Sequence, residues 1–381
     1  MPEDYNRNNY NDNYYDNNDV IYSSSSKQNY DDIYSDSSKR QKVSPKPPKR
    51  RKKSTGKKVF TTILVIILVL LISIAVYALL VVSRINYDSD SPDSEYIEEI
   101  VGTLKSDPNI ENIMLFGADN HAENENGRSD SMILLSIDKN TKTLKLTSFL
   151  RDLYLPIPGY GEGRLNSAYS YGGASLAVET IEYNFGIKID KYAVVDFESF
   201  TAIIDTLGGI DLELTADEID YINWQCWKNK QVETRNELDV NDYTFYTNDD
   251  GYEVATVHLN GRQALWYARD RNSAGSDFDR TSRQRIVINT IFSQLKSADP
   301  ITLMRLVYDI APMVTTNLST AEVISLGANM ISYLKYDTDE FRIPTSYNYS
   351  NTVVYGAQVL TINDMELEKQ YLYEFVFEDE A

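Results

Sequence analysis

RSDSMILLSIDKNTKTLKLTSFLRD, residues 128–152, is the segment from which the fold can be built. Met132–Ile137 and Leu144–Ser148 are two apolar-rich runs. Asp138-Lys139-Asn140-Thr141 lies between them as a turn-rich spacer. Two such runs about a short polar loop predict a β-hairpin. Upstream, Asn112–Gly117 is a short apolar run, which predicts a buried strand ending at Asp119. If the first two strands are antiparallel, three strand ends emerge at one edge of a sheet. Asp119, Arg128, Asp130, Arg151 and Asp152 then share one rim, positioned by a rigid scaffold.

Downstream the pattern alternates between strand and helix. Ala174–Phe185 places Ala174, Val178, Ile181 and Phe185 on one helical face. Tyr192–Asp196 reads as a strand and Phe200–Leu207 as a helix. Gly208-Gly209 and a strand at Ile210–Leu214 follow. Thr281–Leu295 reads as a helix with Gln284, Ile288, Ile291 and Leu295 on one face. Helical stretches at Leu303–Ile310 and Thr320–Leu334 and a late strand at Val353–Thr361 complete the reading. Residues 215–258 mix Trp224, Cys226 and Trp227 with acidic and Asn-rich turns, and read as an irregular excursion. Residues 109–381 suit one large α/β domain.

The N-terminal third is different in kind. Residues 1–38 are rich in Asn, Asp, Ser and Tyr and hold few aliphatic residues, too few to offset the entropy of ordering. Residues 1–58 are therefore expected to form a disordered cytoplasmic tail ending in a basic block, since 39–58 carry eleven Lys and Arg and no acid. Thr61–Val82 then holds no charge; as a helix it is roughly 33 Å long, enough for a hydrocarbon core of about 30 Å. Residues 59–83 are read as one permanent transmembrane helix. The basic block keeps the N-terminus cytoplasmic and the C-terminal domain outside the cell. Residues 84–108 read as a polar extracellular stalk with a short helix at Ser94–Leu104.

Charge and cysteine usage narrow the chemistry. Residues 1–58 hold 13 basic and 8 acidic side chains, so −25 of charge in the remainder balances the net −20. Such an external domain is not suited to nucleic acid. The single cysteine, Cys226, rules out an intrachain disulfide and fits a bacterial surface. His121 and His258 are the only histidines, no Cys/His zinc spacing exists, and no G-x-S-x-G elbow is present. Against this acidic background, Arg262, Arg269, Arg271, Arg280, Arg283 and Arg285 lie within twenty-four residues that contain no lysine. A guanidinium grips phosphate through two parallel hydrogen bonds, which an ammonium cannot do. Arg280 and Gln284 share a helix face at a first turn that already favours an anion. Arg283 and Arg285 point elsewhere and are expected to be solvated. Like charges 5 Å apart repel by roughly 3 kcal/mol at an effective dielectric near 20, so such a cluster needs counter-charge. Mutual neutralisation by Asp270, Asp277 and Asp279 is one source; a diphosphate ligand is the other.

Six blocks in order carry a resemblance. They are Arg128-Ser129-Asp130-Ser131-Met132, Ser148-Phe149-Leu150-Arg151-Asp152, Arg164-Leu165-Asn166-Ser167-Ala168-Tyr169, Val195-Asp196-Phe197, Leu207-Gly208-Gly209, and Tyr267-Ala268-Arg269-Asp270-Arg271 with Asp279-Arg280-Thr281-Ser282-Arg283-Gln284. Over residues 112–284 the chain resembles the LytR-CpsA-Psr family of bacterial envelope proteins. The resemblance implies an α/β fold in which a central mixed sheet, partly antiparallel, is flanked by helices and holds an apolar lipid groove. It implies transfer of a teichoic-acid-like or capsular glycopolymer from a polyprenyl-pyrophosphate carrier to peptidoglycan, with a phosphodiester product, next to membrane lipid. By the same analogy Asp119 and Asp130 would bind Mg2+. Arg128, Arg151, Arg269, Arg271, Arg280 and Gln284 would bind pyrophosphate, and Asp277 or Asp279 could accept the proton of the attacking hydroxyl. Leu150 stands where the family usually has proline, which would stiffen the turn into Arg151. The alternatives are a non-catalytic module that binds polyprenyl phosphate or wall polymer, and a membrane-bound regulator of the transcriptional-attenuator kind.

Overall fold

The computed structural model describes residues 55–88, 103–119, 127–270 and 277–378, apart from the side chains of 55–61 and 277. The tail to residue 54, most of the helix expected at Ser94–Leu104, His121 and Arg271 lie outside the described residues. The chain divides into two units, Met1–Thr61 and Thr62–Ala381, and the sheet and site belong to the second.

The described chain runs from helix α1 (Thr55–Val82) through strands β1 (Asn86–Tyr87), β2 (Ile110–Asp119), β3 (Arg128–Asp138) and β4 (Thr143–Phe149) to the hairpin β5 (Tyr154–Ile157) and β6 (Gly161–Arg164). Helix α2 (Leu165–Phe185), β7 (Lys191–Asp196), α3 (Phe197–Thr206), β8 (Ile210–Leu214) and α4 (Ala216–Lys228) follow. Next come β9 (Tyr246–Thr247), β10 (Glu253–Leu259), α5 (Gly261–Arg269), α6 (Asp277–Ser297) and α7 (Pro300–Ile310). The last elements are β11 (Thr315–Thr316), α8 (Thr320–Tyr333), β12 (Asp337–Ile343), β13 (Tyr349–Val354), β14 (Ala357–Ile362) and α9 (Met365–Phe377).

The hairpin predicted from 132–148 forms as an antiparallel β3–β4 pair, with Asp138 opposite Thr143. β2 pairs antiparallel with β3 and parallel with β7, and β4 pairs parallel with β12. The result is a seven-stranded mixed sheet in the order β1-β11-β7-β2-β3-β4-β12. Period-two alternation divides β2 between two faces. Met114 and Phe116 pack with Met132 and Leu134 against Ile181 and Phe185 of α2 and Leu372 of α9. Ile113 and Leu115 face the other way, toward Phe292 of α6 and Leu326 of α8. Helices on both faces explain why every residue of β4 is buried.

Three readings of the sequence are corrected. Residues 215–258 are not irregular: they contain α4, β9 and most of β10, which join β8 in the small sheet β8-β10-β9 over a core around Ile210, Leu212, Ile219, Ile222 and Val257. The local signal was the Thr215-x-x-Glu218 capping box, in which each side chain satisfies the other residue's amide. The late strand is two, β13 and β14, because Tyr355 (φ 50°) and Gly356 (φ 81°) form a tight hairpin turn. Finally, Asn86 and Tyr87 of the expected stalk pair with Thr315 and Thr316, so that segment contributes an edge strand. The acidic β12 and the helix α9 carried too little apolar periodicity to be recognised.

Glu182 of α2 is 6% exposed and accepts the Ile189 amide at 2.8 Å. Burial pushes its carboxyl up to about 7, against the lowering effects of that hydrogen bond and of Lys188. The folded state therefore holds a proton that the unfolded chain loses near pH 4.5, and stability falls as pH rises from there to about 7. Glu182→Gln keeps the acceptor oxygen and removes the ionisation. It is expected to raise stability at pH 8 by about 3 kcal/mol and flatten the pH dependence; thermal melts between pH 5 and 8 check this.

Candidate functional site

The site begins with an irregularity in the sheet. Gly117 pairs with Ser131 and Ala118 with Ser129, so Asp130 is an extra residue with no partner opposite. A bulge of this kind re-aims a side chain, and Asp130 lines a cavity of about 540 Å³. Arg151 reaches it from the loop after β4, with Nη1 2.5 Å from Asp130 Oδ1. Asp152 lies 3.6 Å from Arg151 Nε and 3.5 Å from Arg164 Nη1. Leu150, in place of the family's proline, is fully buried, and its amide donates to the Ile343 carbonyl at 2.9 Å. Proline could not make that bond. Here the turn into Arg151 is tied to β12 by that bond.

The second half of the rim comes from α5 and α6. Asn260 and Gln263 cap α5 reciprocally, and the Gly261 amide donates to Asp205 Oδ1 at 2.7 Å. A Cβ at Gly261 would stand 2.0 Å from the Thr201 carbonyl oxygen, so glycine lets α5 dock on α3. This docking brings Arg269, the last residue of α5, onto the Phe197 ring at 4.2 Å and near Trp266 at 5.2 Å. Among the described residues Arg269 makes no ion pair. Arg280 is 1% exposed, and with Gln284 one turn later it lines the same cavity.

Asp130, Arg269, Arg280 and Gln284 thus meet at one cavity although they come from three elements. Arg128 is exposed at the start of β3, with its Cα opposite that of Asp119 at the end of β2. Asp279, half-buried, is close enough to Arg342 to act on its charge. Arg271 and the side chain of Asp277 lie outside the described residues. His258 pairs with exposed Asp211 at 2.7 Å and does not line the cavity.

Two of the cluster's arginines correct the sequence reading. Arg283 and Arg285 are not solvated but 4% and 8% exposed. Arg283 pairs with Glu218 at 2.9 Å and Asp270 at 3.8 Å, while Arg285 pairs with Glu340 at 2.5 Å. Arg262 pairs with Glu237 at 3.1 Å. Half of the cluster is therefore structural, and it fixes α4, β12 and the 230s loop around α5 and α6.

Away from this polar end the cavity is apolar. Leu115, Ile133, Ala193 and Val195 of the sheet form its floor, and Phe200, Ile203, Leu265 and Ile288 of the helices form its roof. Gln284, Ile288 and Ile291 were legible beforehand as one helix face. Tyr221 and Gln225 of α4 also line it and were missed, since their segment read as irregular. Asp119 and Asp130 offer two hard oxygen donors. Mg2+ is ordinarily held by one or two carboxylates together with waters and substrate phosphates. Asp130 offers such a carboxylate in the cavity lining beside Arg269 and Arg280, and Asp119 stands at the end of β2, outside that lining. Among the described residues no group of three or more His, Cys, Asp or Glu forms a fuller cage.

The mixed sheet and its helices thus carry one cavity with an apolar body and an end formed by Asp130, Arg269, Arg280 and Gln284. The LytR_cpsA_psr family model matches residues 81–371. The chain belongs to the LytR_cpsA_psr family. Among its relatives, the regulatory protein MsrR of Staphylococcus aureus is 29% identical over 302 residues, covering 78% of this chain and 83% of MsrR. The polyisoprenyl-teichoic acid–peptidoglycan teichoic acid transferase TagU of Bacillus mycoides is 30% identical over 291 residues, covering 72% and 83%. Among solved structures, Bacillus subtilis YwtF (TagT) with bound octaprenyl pyrophosphate shares the fold at TM-score 0.51 and 23% identity, covering 72% of this chain and 93% of that one. This LytR_cpsA_psr chain thus has the family's mixed sheet flanked by helices. One of its helices, Thr62–Val82, is long and apolar enough to cross a membrane.

Proposed function

We propose that this protein transfers a glycopolymer from a polyprenyl-pyrophosphate carrier to peptidoglycan on the outer face of the membrane. The observation that carries this reading is the single cavity with an apolar body and an end formed by Asp130, Arg269, Arg280 and Gln284. An isoprenoid chain gains about 0.8 kcal/mol for each methylene it buries there, and the diphosphate meets forked donors. Relatives named as teichoic acid transferases support the same assignment.

In this reading Arg128, Arg151, Arg269, Arg271, Arg280 and Gln284 hold the diphosphate oxygens. The acceptor's hydroxyl oxygen, such as the 6-hydroxyl of N-acetylmuramic acid, forms a bond to the phosphorus that carries the glycan. The bond from that phosphorus to the bridging oxygen breaks, and polyprenyl phosphate leaves. Asp277 or Asp279 takes the hydroxyl proton. Positioning and charge stabilisation carry most of such a phosphoryl transfer. Mg2+ held by Asp119 and Asp130 would supply further neutralisation of the phosphate oxygens.

The test uses the full-length protein in nanodiscs with Mg2+, a lipid-linked glycopolymer and peptidoglycan. Glycan covalently attached to the wall fraction is the expected result; none, with a control transferase active, would count against the reading. Val195→Trp fills the cavity from the sheet side. It is expected to weaken retention of polyprenyl phosphate at least about tenfold, equivalent to losing roughly two buried methylenes. Mass spectrometry of co-purified lipid measures it. The regulator alternative predicts instead that Val195→Trp leaves function intact while deletion of residues 1–38 removes it.

A further inference from the structure

Helix α7 runs beside the C-terminal end of α1 and in the same direction. The Tyr77 hydroxyl donates to the Met304 carbonyl, and the Arg84 guanidinium lies 4.2 Å from the centre of the Tyr308 ring. Asn86 Nδ2 donates to the Pro312 carbonyl at 2.9 Å. Positions 77, 84 and 86 thus meet 304, 308 and 312 in rising order, so the start of α7 points back along the apolar stretch.

Tyr77 is the only tyrosine or tryptophan in Thr62–Val82, and such residues collect at the membrane–water boundary. Val81 and Val82 beyond it are buried in protein, while Leu79 and the residues before Tyr77 are largely exposed. Met304 is therefore level with the boundary. Ile301 lies three residues, roughly 4.5 Å of helix rise, on the membrane side of it. Ile301 is 80% exposed and Met304 42%. A groove of about 320 Å³ along Pro300, Leu303 and Leu334 continues this apolar surface to Ile331, itself 51% exposed. Lys296 and Lys335 border the groove in a domain that is otherwise acidic.

We propose that this patch is a foot resting in the outer leaflet of the bilayer. Ile301, Met304 and Ile331 enter the headgroup–acyl boundary, and Lys296 and Lys335 face anionic phospholipid headgroups. Insertion is shallow. Asp299 caps the Ile301 and Thr302 amides at 2.9 and 3.2 Å, and Arg305 is exposed with a stem long enough to snorkel. α7 also packs on α3, whose Phe197, Phe200 and Ile203 line the large cavity. The foot thus sets the height of that cavity's wall above the lipid. The inference rests on Thr62–Val82 being a membrane span and is independent of transferase activity.

The sole cysteine, Cys226, is 1% exposed, and burial pushes its thiol up to about 11, so it is unreactive. Full-length Ile301→Cys, Leu70→Cys and Tyr347→Cys variants can therefore each carry one environment-sensitive fluorophore. In phosphatidylglycerol–phosphatidylcholine liposomes, labels at 70 and 301 are expected to show blue-shifted emission and quenching by doxyl-labelled lipid. The label at Tyr347, a site 99% exposed, should be quenched only by aqueous iodide. A label at 301 that behaves like that at 347, while 70 is lipid-quenched, overturns the foot. If 70 also escapes lipid quenching, the span and the foot fall together.

Discussion

Arg280→Lys is expected to lower the rate of polymer transfer by about 10²- to 10³-fold, the scale on which one preorganised charge donor is lost, with little change in melting temperature. The charge stays and the fork goes. A lysine in the first turn of α6 can place one ammonium near a phosphate oxygen but cannot bridge two. The effect is large because Arg280 is 1% exposed and lines the cavity, so bulk water cannot replace the missing contact. Single-turnover transfer by the full-length protein separates this from weaker substrate binding. A near-wild-type rate would remove Arg280 from the diphosphate grip, whereas Arg285→Lys, at an ion pair outside the cavity, should leave the rate within a few-fold.

Asp138→Asn is expected to destabilise the fold by about 1.5–3 kcal/mol, the scale of one lost hydrogen bond between charged groups. Lys145 and Asp138 have side chains only 3% and 2% exposed and meet at 2.9 Å across the β3–β4 turn. Lys145 also donates to the Val376 carbonyl at 3.1 Å and pairs with Glu378 at 3.1 Å, so the pair fastens α9 to the sheet. Burial raises the Asp138 carboxyl, but hydrogen bonds from Lys145, Thr141 and Asn140 outweigh it and hold the group below its ordinary value. A depressed carboxylate stabilises the folded state above the unfolded value near pH 4 and loses that contribution as pH falls through the folded value. The wild type should therefore keep the contribution from pH 5 to 8 and lose it in acid, and Asp138→Asn should remove that acid-side loss. Denaturant melts at pH 3 and pH 7 test both.

Much of the fold was written in local pattern. The hairpin at 132–148 needed only two apolar runs and a polar turn, and the helix at 281–295 needed only its spacing of Gln284, Ile288 and Ile291. Segments held by distant partners were not legible. β12 is acidic and joins the sheet only because β4 offers it a parallel edge. α4 reads as irregular until its capping box is seen with the core of β8 and β10 behind it.

The sequence by itself determined the kinds of group available: an apolar span of 22 residues, an acidic domain, two aspartates at strand ends and six arginines without lysine. Tertiary structure alone decided what each arginine does. Arg262, Arg283 and Arg285 are taken by Glu237, Glu218 and Glu340, which lie 25, 65 and 55 residues away. Arg269 and Arg280 are turned to the cavity. Periodicity fixes the face a side chain occupies within its own helix, but the carboxylate or ring that meets that face is set by long-range packing, which no local window contains.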